Sequence, residues 1–383
     1  MQICMLVSAK FPAREGMGFY VWNLSRSLQK YGHRVTILTR GSRGQKDHEV
    51  IEGIQVRRPF FLPLYPFHVH LHAVFVDRLL HQVRSEFDIL HLHTPLIKQP
   101  HVPVPSLLTV HTPMKADTAS IRVSSLYELL IKLQAPISYR LEKELFERAG
   151  GITVVANSIA AELKAYGIDP STVAVMGNGV DTELFMPGRL VERHPAGASL
   201  PYVLAVGRLA ARKGFEDLVA AAELVLRSYP GVKFMIAGAG PLESRLADLI
   251  RTRGLDNKVI LLGHIPGREA LVDLYRRAAI FVHPAHYEGL PTVLLEAMAC
   301  GCPVVSTAVS GALDVVENGV NGLLVPPRAP GLLAGTILRL LKEQGYPQSL
   351  GEAARRTIEE RYSWSVVCQN YISQYEQLLG GSS

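Results

Sequence analysis

The chain has 383 residues, 48% hydrophobic and 19% charged, which is enough apolar material for two globular cores and excludes a disordered protein. Its formal charge is +6, with 21 Lys+Arg against 16 Asp+Glu before residue 190 and 19 against 18 after it, so the basic excess sits in the first half. That excess fits plain solubility or attraction to an anionic acceptor or membrane surface, and no basic run or aromatic-interleaved stripe points to nucleic acid.

Four cysteines, Cys4, Cys300, Cys302 and Cys368, form no CxxC pair and read as small buried hydrophobes in a reducing compartment. Residues 1–7 lack the charged-then-apolar layout of a signal peptide, and no apolar run reaches the roughly 18 residues of a membrane span. A cytoplasmic location is expected, with peripheral contact to the inner face of the membrane left open.

Residues 2–7 (QICMLV) form a continuous apolar run, as in a strand covered on both faces. A loop containing Gly16-Met17-Gly18 follows, then a helix marked by Val21, Leu24 and Leu28 and ended by Gly32, then a strand over 34–39. Short apolar runs recur at 89–92, 106–110, 152–155 and 173–176. The stretch 60–80 is apolar and aromatic; it reads as core strand and helix, or as a docking surface for a lipid-linked acceptor. Residues 186–200 are rich in Pro and Gly with little periodicity and read as a linker.

The alternation then restarts. Strands are predicted at 202–206, 232–237, 259–262, 280–283, 303–306 and 322–325, and helices at 215–228, 242–253, 268–277, 291–299 and 331–342. Alternating strands and helices predict an α/β protein of two parallel, doubly wound sheets. Such sheets bind ligands outside the carboxyl ends of their strands, and two in tandem place a site in the cleft between them.

Three loops of the second half carry the chemistry. Gly207-Arg208-Leu209-Ala210-Ala211-Arg212-Lys213-Gly214 runs from a strand end into a helix, whose N-terminus favours anions. Arg208 offers a planar fork of donors and Lys213 a mobile point charge, which together suit a diphosphate. Ala237-Gly238-Ala239-Gly240-Pro241 is a second strand-end loop; its glycines allow close backbone approach to a ligand or make an ordinary tight turn. The third loop, from His283 to Glu296, holds Glu288 just before a helix and Glu296 about two turns into it. Carboxylates accept hydrogen bonds from vicinal hydroxyls, so one suits a sugar and the other a ribose. In the first half, Thr109-Val110-His111-Thr112-Pro113 ends an apolar strand, and His111 is placed to face a ligand.

GRLxxxKG, the GxGP turn and the EGLPxVLLE block, in this order and spacing, resemble the retaining family 4 glycosyltransferases of GT-B fold. Asn178-Gly179-Val180-Asp181 with Phe185 and Pro187, the 297–305 segment, and Asn318-Gly319 with Asn321-Gly322 extend the resemblance, which is strongest from about 178 to 327. It implies two Rossmann-like domains facing a cleft. Residues 1–187 would bind the acceptor, with a C-terminal helix at about 364–380 crossing back; 188–200 would be the linker, and 201–363 the nucleotide-sugar domain. A sugar would pass with retention from a nucleotide-diphosphate donor, a UDP- or GDP-sugar, to a glycan, lipid-linked or small-molecule acceptor.

For single positions the resemblance implies that Arg208 and Lys213 hold the diphosphate, with Gly207, Gly238 and Gly240 lining its loops, and that Glu296 takes the ribose hydroxyls. Glu288, with the backbone of Gly289, Leu290, Pro291 and Thr292, would contact the sugar and distal phosphate. Gly263 and Ile265 would meet the base, Gly18 would approach the phosphates, and His111 would sit beside the transferred sugar. The paired glycines common in the family's first loop are here Glu15-Gly16-Met17-Gly18, a departure that leaves the phosphate-facing glycine open.

No cofactor and no catalytic metal are expected. No two aspartates are separated by one residue, so a DxD metal motif is absent, and the alternating His68, His70 and His72 lack zinc-site company. Two other readings stay open on sequence alone: an epimerase or hydrolase acting on a nucleotide sugar, and a nucleotide-sugar-binding module without turnover.

Overall fold

The computed structural model describes residues 1–9, 11–13, 16–41, 44–62, 68–95, 97–115, 118, 126–188 and 200–380, without the side chains of 70 and 126–131. The chain divides into two compact units, residues 1–178 with 367–383, and residues 179–366. The crossover after Asn178 falls inside the Asn-Gly-Val-Asp motif, and the expected linker at 188–200 lies almost wholly outside the described residues.

The first unit holds strands β1 (Gln2–Val7), β2 (Arg34–Thr39), β3 (His48–Ile51), β4 (Ile54–Arg57), β5 (Ile89–Thr94), β6 (Ser106–Val110), β7 (Gly151–Val154) and β8 (Ala174–Val175). They form one sheet in the order β3-β4-β2-β1-β5-β6-β7-β8. All pairings are parallel except the β3–β4 hairpin. β5 and β6 are buried along their whole length and β1 along all but its first residue, which is why they read as unbroken apolar runs. The edge hairpin escapes sequence reading. Its turn is Glu52-Gly53, both at positive φ (48° and 82°), and a glutamate is no signal for a turn whose twist requires that conformation.

Helices α1 (Gly16–Lys30), α2 (His68–Val83), α3 (Leu126–Arg148) and α4 (Asn157–Glu162) belong to this unit. Gly16, Met17 and Gly18, expected in a loop, form the first turn of α1, because Gly18 packs beside Ala9 and Ala13 and starts the apolar stripe of Val21, Leu24 and Leu28. His68 and His72 sit one turn apart on α2, both against the Phe61 ring, so they do not alternate as strand residues would.

The second unit holds β9 (Tyr202–Val206), β10 (Lys233–Ala237), β11 (Val259–Gly263), β12 (Ile280–His283), β13 (Val304–Thr307) and β14 (Leu323–Val325), ordered β11-β10-β9-β12-β13-β14 and parallel throughout. Helices α5 (Phe215–Ser228), α6 (Glu243–Thr252), α7 (Arg268–Arg277), α8 (Thr292–Ala299), α9 (Ser310–Val315), α10 (Pro330–Lys342) and α11 (Tyr346–Arg361) cover it. Its core includes Leu218, Val219, Ala222 and Val225 of α5, Leu333, Ala334 and Ile337 of α10, and Val203, Ala205, Phe234 and Ile236 of the central strands. β9 pairs with β10 on one side and β12 on the other, so the winding reverses between β9 and β12, the position at which doubly wound sheets open a crevice. Among the described residues no helix is long and apolar enough to cross a membrane.

Candidate active site

The loops leaving β9 and β12 are tied together at that reversal point. Lys213 donates to the Glu288 carboxylate in an ion pair whose side chains are only 16% and 14% exposed. Behind it, the His286 amide donates to the Arg212 carbonyl at 2.7 Å, and the His286 ring meets Asp217 Oδ2 of α5 at 2.7 Å. Gly214 makes the approach possible. At φ 67°, a Cβ there would fall 1.9 Å from the Pro284 oxygen, so only glycine lets the loops cross. Burial alone would raise the Glu288 carboxyl. The His283 ring, 3.9 Å away, and the Lys213 ammonium outweigh it and hold the group at about 2, ionised at neutral pH.

The glycines of the neighbouring loop make a second crossing. A Cβ on Gly238 would fall 1.9 Å from the Gly207 oxygen, and one on Gly240 2.5 Å from the Leu209 oxygen. The loops are joined by Gly207 N–H to Ala237 O, Leu209 N–H to Ala239 O and Leu242 N–H to Leu209 O, each at 3.0 Å. The close backbone approach expected at Gly238 and Gly240 is therefore, in the first place, an approach to the Gly207-Arg208-Leu209 backbone. Gly238 also donates to the Gly263 carbonyl at 2.7 Å, which brings the end of β11 to the same edge. A Cβ on Gly263 would meet nothing within 4 Å, and Ile265, just beyond, is partly exposed.

Gly289, Leu290 and Pro291 lead directly into α8, which begins at Thr292. Their path is set from below by Gly311, where a Cβ would fall 1.3 Å from the Gly289 oxygen, and by Ser310, whose hydroxyl donates to the Glu288 carbonyl at 3.2 Å. Glu296 lies further along α8, partly buried, with one oxygen accepting from the Tyr275 hydroxyl at 3.0 Å. Its apolar surroundings push its carboxyl up to about 7. Arg208 is exposed and, among the described residues, makes no ion pair. In the second unit Gly207, Arg208, Lys213, Gly238, Gly240, Gly263, Ile265, Glu288, Gly289, Leu290, Pro291 and Thr292 lie at strand ends or on the segments that leave β9, β10, β11 and β12, and Glu296 lies further on, inside α8. His286, Asp217, Gly214, Gly311 and Tyr275 complete the geometry without having been expected; their contacts are long-range and leave no local signal.

In the first unit His111 follows β6. Its Nε2 lies 3.2 Å from His93 Nδ1, and its ring stands edge-on to Tyr20 of α1 at 4.8 Å. Burial pulls its ring down to about 4, so it is neutral at pH 7. Behind it runs a buried polar chain: His91 bonds Tyr375 and Thr109, Thr109 meets Tyr371, and Tyr371 meets Tyr20, at 2.7 to 3.0 Å. Tyr371 and Tyr375 come from the helix Trp364–Gly380, most of which belongs to this unit.

Known families match both halves. Residues 14–184 match the model described as Glycosyltransferase Family 4, and residues 190–357 the model described as Glycosyl transferases group 1. A D-inositol 3-phosphate glycosyltransferase of Frankia alni is 30% identical over 395 residues, covering 95% of each chain. Among solved structures, sucrose-phosphate synthase of Thermosynechococcus elongatus superposes with a TM-score of 0.81 over 99% of each chain at 24% identity. The Anabaena protein HepE, solved with UDP-glucose, gives 0.74 over 98% of this chain and 100% of its own at 18% identity. With both halves matched in order and the fold shared over nearly the whole length, the chain belongs to the family 4 glycosyltransferases and has their GT-B fold.

Proposed function

We propose that this glycosyltransferase uses a nucleotide-diphosphate sugar, a UDP- or GDP-sugar, and transfers the sugar with retention to a hydroxyl of a glycan, lipid-linked or small-molecule acceptor without a catalytic metal. The second unit, around 201–363, binds the donor, and the first unit, around 1–187, the acceptor. The observation that carries this reading is the Lys213–Glu288 pair at the point where the sheet reverses, a half-buried cation and a carboxylate ionised at neutral pH on the loops that leave two neighbouring strands. HepE, solved with UDP-glucose, supports a nucleotide-sugar donor, and the inositol phosphate glycosyltransferase supports transfer to a hydroxyl.

In this mechanism Lys213 and Arg208 receive the diphosphate by charge-assisted hydrogen bonds. The bond between the anomeric carbon and the distal phosphate oxygen breaks, and its electron pair leaves with the diphosphate. The acceptor oxygen bonds that carbon on the same face and passes its proton to the departing phosphate oxygen. Preorganised cations at a site of developing charge are a large source of rate enhancement. Glu288 and the amides of 289–292 hold the sugar and distal phosphate, Glu296 the ribose, the backbone at Gly263 and Ile265 the base, and neutral His111 the transferred sugar. The first turn of α1, in which Gly18 is buried against Ala9 and Ala13, would be the part of the first unit that approaches the phosphates.

A panel of UDP-, GDP- and ADP-sugars, screened by thermal shift and then by product analysis in EDTA, tests the reading, since a bound donor raises apparent stability. Stabilisation by one donor, with a product of unchanged anomeric configuration, is expected. Loss of turnover in EDTA, or an inverted product, overturns it. For the acceptor, Phe60, Leu62 and Val74 of the first unit are 59%, 38% and 64% exposed, an apolar surface suited to a lipid-linked substrate. Sedimentation with anionic liposomes tests that choice, and failure to co-sediment favours a water-soluble acceptor.

A further inference from the structure

Glu296 differs from Glu288 in how it is held. Glu288 is fixed by a cation; Glu296 is fixed by a neutral phenol reaching over from α7. The Tyr275 side chain is fully buried and its ring is locked edge-on between Phe281 of β12, at 5.5 Å, and Phe185, at 6.1 Å. The Phe185 ring also carries the Arg268 guanidinium, 5.1 Å from its centroid. A ring so confined keeps one hydroxyl direction, and that hydroxyl meets Glu296 Oε2 at 3.0 Å. Among the described residues Glu296 Oε1 has no hydrogen-bond partner.

We propose that Tyr275 is the positioning residue for Glu296, holding Oε2 so that Oε1 is presented to the donor's ribose hydroxyls; this rests on the ribose role given to Glu296 above. Tyr275 does not touch the donor. It acts by fixing the carboxylate rotamer and by favouring the ionised form, the stronger acceptor of hydroxyls. Burial raises the Glu296 carboxyl to about 7, and the Tyr275 hydrogen bond and the Arg268 charge oppose that rise. Burial pushes the Cys300 thiol up beyond Glu296, and Arg355 of α11 donates to the Ala299 carbonyl at 2.7 Å. Burial pushes the Tyr275 phenol itself well up, so it stays a donor.

The test is calorimetric binding of UDP, GDP and ADP between pH 6 and 9, with the tightest of the three carried into Tyr275→Phe and Glu296→Gln. Tyr275→Phe keeps the ring in place. It is expected to bind about tenfold more weakly at pH 7, the cost typical of losing a hydrogen bond to a charged group, and to approach wild type by pH 9. In turnover assays its donor KM rises while kcat at saturating donor holds. Glu296→Gln is expected to weaken binding at every pH and to leave only the pH dependence of the nucleotide's own phosphate, the same with Tyr275 or with Phe at 275. A second measurement is a ratio within each protein, so it survives partial misfolding: the preference for the ribonucleotide over its 2′- and 3′-deoxy analogues narrows in Tyr275→Phe. If Glu296→Gln weakens binding but Tyr275→Phe matches wild type in affinity, pH profile and ribose preference, the positioning role is wrong and the ribose role stands. If Glu296→Gln also binds like wild type, both are wrong.

Discussion

Lys213 and Glu288 form an ion pair between the loops that leave β9 and β12, neighbouring strands on either side of the point where the second sheet reverses its winding. Two residues far apart in sequence are thus joined where the topology leaves an opening. In the proposed mechanism Lys213 would supply positive charge to the leaving group, and Glu288 would keep a negative charge in place for hydroxyls.

Replacing Lys213 with Ala removes that positive charge. Turnover is expected to fall by about two to three orders of magnitude, the usual cost of deleting one preorganised charge-stabilising group. Steady-state kinetics check this: the fall should appear mainly in kcat, and a variant within a few-fold of wild type would remove Lys213 from the reaction.

Two acid transitions are expected, overlapping between about pH 4.5 and 3. His91 and His111 are held at about 3 and about 4, below the ordinary 6.5, so the unfolded chain binds more protons than the folded one between those values. Their contribution to stability is complete above pH 6.5 and lost as pH falls through 6.5 toward 4. Glu288 is depressed from 4.5 to about 2, so its contribution is complete above 4.5 and lost only below it. Melting temperature measured from pH 3 to 8 should fall in both windows. His111→Asn should flatten the upper one, and Lys213→Ala the lower.

Gly311→Ala and Gly335→Ala should behave oppositely. A Cβ on Gly311 meets the Gly289 backbone oxygen at 1.3 Å, while one on Gly335, inside α10, meets nothing within 4 Å. The first is expected to displace the 288–291 loop, costing several kcal/mol and nucleotide binding together, as overpacking does at its upper end. The second should be neutral or stabilising by up to about 1 kcal/mol through helix propensity. Thermal melts and nucleotide affinity separate the two.

Asp217→Asn weakens the tie between α5 and the His286 ring without touching Lys213 or Glu288. The loops around the pair should loosen: donor KM is expected to rise a few-fold with the melting temperature within about 2 °C of wild type. An unchanged KM would make the His286–Asp217 contact irrelevant to binding.

Much of the second unit was legible because its strands are covered on both faces and its helices carry clean apolar stripes. The helix at 215–228 and the strands at 202–206 and 280–283 lie where periodicity placed them. The loops rich in Gly, Arg, Lys and Glu stood out because they interrupt that pattern at strand ends. Several matched motifs proved to have structural roles. Asp181 accepts from the Glu183 and Leu184 amides, and a Cβ on Gly179 would overlap the Trp364 ring. Asn321 bonds the Val315 carbonyl and the Glu317 amide. What sequence could not give was pairing across distance. Nothing local to Tyr275 points to Glu296, nothing at Gly311 points to Gly289, and nothing in the tail marks Tyr371 as a neighbour of Tyr20. The β3–β4 edge hid behind an atypical turn residue, and α3 carries a proline, Pro136, that argues locally against a helix.

The buried chain from Tyr375 through His91, Thr109 and Tyr371 to Tyr20 has a consequence for how the first unit is completed. The strands of the first unit all precede residue 178, but two of the hydroxyls that satisfy its interior come from Tyr371 and Tyr375, which follow the whole second unit in sequence. The first unit is therefore complete only when a segment distant in sequence returns to it, and removing Trp364–Gly380 should harm residues 1–178 more than residues 179–366.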